Sequence, residues 1–353
     1  MVPGKHREAM SLHCRADDYS YNYPPNRITR QMKHRILTLC LIAIIALATA
    51  DTFGQGKVTR PGKPTSSTKS KPSTNKKTNN RLTIIRKGQY HKDITEVKIP
   101  NSVTTICESA FENCTSLATV NIPNSVRTIG FAAFRHCESL TTVNIPNSIS
   151  TLDGTFVGCK SLRSIVIPKS VTAIKNSTFY ACSSLLNINI PMSVQYIEAG
   201  AFEYCSNLNA FYGKFATPDN RCLVVNGTLV GFAPKGLYSY QIPNSVKVIG
   251  QSAFGGAKEL HHIVIPNSVT SIETGAFSDC ESLDEVVLPA SIRSIGQLAF
   301  RDCNALKSIT IPKSVEEIGD YAFVNCSLKV VRIPKECKIR STSFSKWCEV
   351  IRY

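Results

Sequence analysis

The sequence predicts a β-solenoid of parallel strands, α/β-type or mostly β, with about 10 coils of 22–23 residues and one β-hairpin insertion. Three observations lead there. Prolines at Pro100, Pro123, Pro146, Pro168 and Pro191 are 22 or 23 residues apart, and after one gap the interval returns at Pro243, Pro266, Pro289, Pro312 and Pro334. The same apolar slots recur around each proline. Within the gap, two short apolar runs flank Asn226-Gly227, the signature of a hairpin with a type I′ turn.

One coil, Leu117 to Leu140, shows the order of elements. Its apolar positions are Leu117, Val120, Ile122, Val126, Ile129, Phe134 and Cys137, and Leu140, Val143, Ile145, Ile149, Leu152, Phe156 and Cys159 fill the same slots in the next coil. Leu-x-x-Val-x-Ile alternates and carries β-branched residues, which favours a strand. The following proline has no N–H and a fixed φ, so it ends the strand and opens a turn. Pro-Asn-Ser and Pro-Lys-Ser supply turn side chains. Val-x-x-Ile then reads as a second extended segment, and Ala-Phe-x-x-Cys as an irregular or 3₁₀ return. No coil buries these side chains alone; stacking converts each slot into an interior column.

The solenoid is expected over residues 83–353, with the insertion at about 209–240 and a C-terminal cap at about 335–353. Upstream, Lys33, His34 and Arg35 precede the apolar run Ile36–Ala48 and the small-residue end Ala48-Thr49-Ala50, the layout of a secretory signal peptide over residues 32–50. An uncleaved membrane anchor is the alternative, but the apolar run falls short of the ~20 residues that span a bilayer. Cys40 suggests lipidation only faintly, since Leu39 is bulky. Residues 1–31 then read as an extension or a mis-assigned start, with Met32 the true one. Residues 51–82 are rich in Lys, Thr, Ser, Pro and Asn and nearly devoid of apolar side chains, as expected of a disordered basic linker. Such a linker is a solvated spacer or, alternatively, touches an anionic surface.

The net charge of +16 does not make this a nucleic-acid binder. Residues 1–90 hold 17 Lys/Arg against 4 Asp/Glu, whereas residues 91–353 hold 24 against 21. The repeats are almost neutral and lack a basic groove.

Of 14 cysteines, eight (Cys114, Cys137, Cys159, Cys182, Cys205, Cys280, Cys303 and Cys326) stand three residues after a phenylalanine. Ala257 and Trp347 take the same slot, so it reads as an interior packing position filled by thiols. Bridging between stacked coils is the alternative. No paired Cys-x-x-Cys suggests a metal, and no cofactor is expected. In the gap, Phe211, Tyr212, Phe215, Phe232, Tyr238 and Tyr240 make an aromatic insert, which either packs a small core of its own or projects toward a partner.

The pattern Leu-x-x-Ile-x-Ile-Pro-x-Ser-Val-x-x-Ile-Gly-x-x-Ala-Phe-x-x-Cys, followed closely by Leu260 to Cys280 and Leu306 to Cys326, resembles the BspA-type leucine-rich repeat of surface proteins from host-associated bacteria and some protozoan parasites. The resemblance runs from about Ile94 to Phe344 and implies a leucine-rich-repeat-like fold. The Gly slot departs from it at Cys107, Asp153, Lys175, Glu198 and Glu273, and Ala257 replaces Cys. It also implies a non-catalytic, exported module for protein–protein recognition or adhesion, secreted or held at a cell surface, with a protein or glycan ligand. A periplasmic or surface-complex scaffold without adhesive role is the alternative.

An enzyme is not expected, because nucleophile, metal and phosphate-loop motifs are all missing from the sequence. The mature chain is expected to be a monomer with no transmembrane span. Outward strand positions form a column through Lys98, Asn121, Asn144, Val166, Asn189, Val264, Val287, Thr310 and Arg332. A neighbouring pair column changes from Thr141/Thr142 through His261/His262 and Asp284/Glu285 to Lys307/Ser308. His261, His262, Asp284 and Glu285 are therefore the ligand-face candidates. Strict alternation along a strand would turn His261 and His262 to opposite faces.

Overall fold

The computed structural model describes residues 82–353; the expected signal peptide, upstream extension and almost all of the basic linker lie outside the described residues. Residues 82–353 form a parallel β-solenoid of about twelve turns, and no helix occurs among them. The α/β-type alternative is therefore not realised. Most coils have a front strand ahead of the proline, a short back strand after it, and a turn carrying the phenylalanine; the front segment before Pro168 is extended without strand pairing, and that before Pro312 keeps only an isolated bridge from Thr310 to Arg332.

The front strands stack in register, as Glu96–Lys98 on Thr119–Asn121 and that on Thr142–Asn144, with Val97, Val120 and Val143 aligned. The back strands do the same, from Ile84–Ile85 through Thr105–Ile106 to Thr128–Ile129. Proline marks ten coils, but two more front strands lack it: Ala210–Gly213 stacks on Asn187–Ile190, and Glu349–Arg352 stacks on Val330–Ile333. That accounts for the two turns beyond the sequence expectation.

The third wall is neither strand nor 3₁₀ helix. In coil after coil the residues two before and two after the phenylalanine have positive φ, as at Ala132 and His136 around Phe134, Gly154 and Gly158 around Phe156, and Leu298 and Asp302 around Phe300. These left-handed residues break any helix and leave alternate N–H groups pointing along the stack. Phe111 N–H donates to Ala133 O (2.8 Å) and Asn113 N–H to Arg135 O (2.8 Å). All three walls are thus hydrogen-bonded coil to coil, which meets the need to pair buried backbone.

Inside, the phenylalanine rings form files. Phe111 and Phe134 stack at 5.0 Å and 4°, and Phe300 and Phe323 at 5.1 Å and 5°. The ladder cysteines are unbridged thiols. Each of seven donates to the phenylalanine carbonyl of the preceding turn, among them Cys137 to Phe111 O, Cys182 to Phe156 O and Cys303 to Phe277 O, all at 3.2 Å. Trp347 breaks this pattern: it takes the cysteine slot yet is 64% exposed.

The hairpin forms between Cys222–Val225 and Thr228–Phe232, with positive φ at both Asn226 and Gly227. It does not project. Leu223, Val225 and Val230 face the core of the first coils, while Cys222, Leu229 and Phe232 face the core of the later ones. Its Thr228-Leu229 end pairs in parallel with Val248–Ile249 and begins the back sheet of the second half. The hairpin is a septum with a core on each side.

Candidate ligand-binding face

The front wall presents every second strand residue outward. In Thr119–Asn121, Thr142–Asn144 and Glu285–Val287 the central valine is buried and both flanking residues are exposed. Polar side chains in the first coils serve the wall itself: the Asn144 amide donates to Ile122 O and accepts from Ile122 N–H, both at 2.9 Å. Apolar residues interrupt this wall at Val166, which is 80% exposed, and at Tyr212, Val264 and Val287.

The four candidates meet. His261 Nδ1 lies 3.3 Å from Asp284 Oδ2, and His262 Nδ1 lies 3.4 Å from Asp284 Oδ1 and 3.1 Å from Glu285 Oε2. The expectation that the two imidazoles face opposite ways fails for a local reason. The strand begins at His262, so His261 lies just ahead of it and strand alternation does not govern its side chain. Both rings are partly buried on the outer side, and Ile263 behind them is buried.

Tyr238, expected as part of the aromatic insert and not as a ligand-face residue, completes the strip. Its ring stacks on His261 at 4.2 Å and 17°, meets His262 edge-on at 5.1 Å, and stays 57% exposed. Its signal lay in register, since Tyr238 is the residue one coil before His261 and two before Asp284. Some other carboxylates pair with cations of the adjacent coil, as in Glu138–Lys160 (2.8 Å) and Glu281–Lys258 (2.6 Å). Asp284 and Glu285 meet imidazoles, which carry charge only when protonated.

The model of the BspA type leucine rich repeat region matches residues 83–209 and 231–351, in six copies. The chain belongs to the BspA-type leucine-rich repeat family. The unmatched stretch between those segments covers the front strand Ala210–Gly213 and most of the septum hairpin, the part of this BspA-type repeat protein that departs from the repeat. Among solved structures it is similar to a leucine rich cell surface protein from Faecalibacterium prausnitzii, at 32% identity over 73% of this chain and 79% of that one, with a TM-score of 0.62. It is also similar to the pneumococcal vaccine antigen PcpA, at 19% identity over 77% of this chain and 74% of that one, with a TM-score of 0.59. That second likeness is one of fold alone. No curated protein matches the chain. Among the described residues no helix is long and apolar enough to cross a membrane.

Proposed function

We propose that this BspA-type repeat protein is an exported, non-catalytic recognition module whose front wall binds a protein or glycan at a cell surface. The observation that carries the reading is the front wall, where Tyr238, His261, His262, Asp284 and Glu285 form a continuous aromatic and acidic strip across three coils. Several such coils offer the roughly 800 Å² per partner that a specific protein interface uses. Support for export comes from the charged, apolar and small-residue layout of Met32 to Ala50, and from the cell-surface description of the F. prausnitzii protein.

The purified protein applied to an array of glycans and matrix proteins tests the reading. The expected result is selective binding that falls at least tenfold in Asp284→Asn/Glu285→Gln, as a loss of ~1.4 kcal/mol or more at a binding centre implies. Silence across the array, with protection from protease added to intact cells, would instead assign a periplasmic scaffold.

A further inference from the structure

The septum divides the front wall evenly. Five strands and one segment outside the ladders precede it, from Glu96–Lys98 to Ala210–Gly213, and five strands and one such segment follow it, from Ser239–Gln241 to Glu349–Arg352. Among the described residues twelve large apolar or aromatic side chains are exposed, and six of them lie on this wall within three segments of the septum. They are Val166, Leu186 and Tyr212 on one side and Tyr238, Val264 and Val287 on the other, one to a segment. Farther out the same columns carry polar residues, as at Asn121, Asn144, Thr310 and Arg332. An apolar patch with a polar rim marks a contact face. Charge divides at the septum too. Before it, Arg163 is exposed and meets no carboxylate among the described residues. After it, the exposed Asp284 and Glu285 meet imidazoles and no permanent cation.

These two halves complement each other in a particular order. A two-fold axis laid along the strands at the septum turns a second copy face to face with the first and reverses the order of its segments. Each column keeps its own side of the wall under that rotation, so the fourth segment meets the ninth and the fifth meets the eighth. Arg163 then stands over Asp284, Val166 over Val287 and Leu186 over His261, each contact made twice. Rotation about the stack axis instead sets each segment against itself with its ends exchanged. Asp284 would then face Val287 and Arg163 would face Val166, which buries charge without a partner. The antiparallel order avoids that cost. Twelve segments about 4.8 Å apart and about three to four residues wide present roughly 700 Å² of wall. A specific interface takes about 800 Å² from each partner.

We propose that the front wall pairs two antiparallel copies of this chain about a two-fold axis at the septum, with Arg163 of each copy against Asp284 of the other. The proposal rests on the reading of this wall as a recognition surface and names a partner for it, in place of the monomer expected from the sequence. The apolar row supplies burial, and the two ion pairs fix register and exclude the parallel order.

Analytical ultracentrifugation of the full chain tests the pairing. The expected result is a monomer–dimer equilibrium, weakened at least tenfold in Arg163→Asp and again in Asp284→Arg, because each variant sets like charges opposite. Mixing the two variants should restore dimer to within about threefold of wild type, since the mixed pair sets an acid against an arginine at both contacts. Recovery on mixing also shows that both variants are folded. A wild-type chain that stays monomeric to ~0.1 mM would overturn the pairing. So would dimers that persist unchanged in both variants, or weakened variants that mixing does not rescue. The glycan and matrix array keeps the two readings apart. Selective array binding by a strictly monomeric chain leaves the proposed function standing and removes the dimer, whereas a dimer rescued on mixing beside a silent array does the reverse.

Discussion

At the residue scale, the recurring cysteine performs two tasks that alanine or serine performs singly. It fills a small apolar slot, and its S–H gives the phenylalanine carbonyl of the turn before it a second donor, that oxygen already accepting the turn bond from the next cysteine N–H, as in Cys114 N–H to Phe111 O at 3.1 Å. Burial raises these thiols, Cys205, Cys280 and Cys326 up to about 12 and Cys182 well above its ordinary value. A thiol that stays protonated and enclosed is a poor nucleophile. In native protein at pH 8 the eight ladder thiols should therefore resist a thiol-specific reagent and react together on unfolding in denaturant. Rapid native labelling at Cys159 or Cys182 would show that the ladder opens locally. The thiol ladder was legible because its spacing repeats. The left-handed turn positions were not, since Ser109, Ala132, Ser177, Leu298 and Tyr321 share one backbone conformation but no side-chain chemistry.

At the scale of elements, the hairpin shows what a local signal carries and what it omits. Asn226-Gly227 announced the turn, because both residues tolerate the positive φ that a type I′ turn requires. Its place in the stack was hidden. A run such as Cys222-Leu223-Val224-Val225 reads as buried on both faces, yet nothing in it states that the two faces belong to different cores. The front strand Ala210–Gly213 was hidden too, for it lacks the proline that marked its neighbours. Four candidate ligand-face residues followed from column register, and Tyr238 stands in the same register one coil earlier, whereas the shared orientation of the imidazoles depended on where the strand begins. The septum also makes a sharp test. A Cβ at Gly231 would stand 3.2 Å from Phe211 Cζ and 3.3 Å from Phe202 Cδ2, both rings packed from the first-array side. Gly231→Val should overpack that face and cost about 1–3 kcal/mol in urea unfolding. An unchanged midpoint would mean that the septum is looser than its contacts indicate.

At the scale of the whole molecule, stability is a chain of nearest-neighbour terms, since each coil touches the coils beside it and few others. The apolar interior divides into two clusters, one running from Ile85 through Phe202 and the other from Phe232 through Phe344, and the hairpin belongs to both. The ring file divides there as well: Phe202 turns edge-on to Phe211 at 77°, and a new file begins at Phe232 against Phe254. Within each file every ring packs on the faces of its neighbours, and the edge-on contact of Phe202 with Phe211 ends the first file. Damage in one array should then stay in it. Phe134→Ala removes a fully buried ring stacked on both sides, at a cost of about 3–5 kcal/mol. Hydrogen exchange should show the loss of protection concentrated in the back strands Thr105–Ile106, Thr128–Ile129 and Thr151–Leu152, while Ser271–Ile272 and Ser294–Ile295 keep theirs. Uniform loss across both arrays would show that the hairpin welds the two cores into one cooperative unit, and the front wall would then respond to ligand as a single rigid surface.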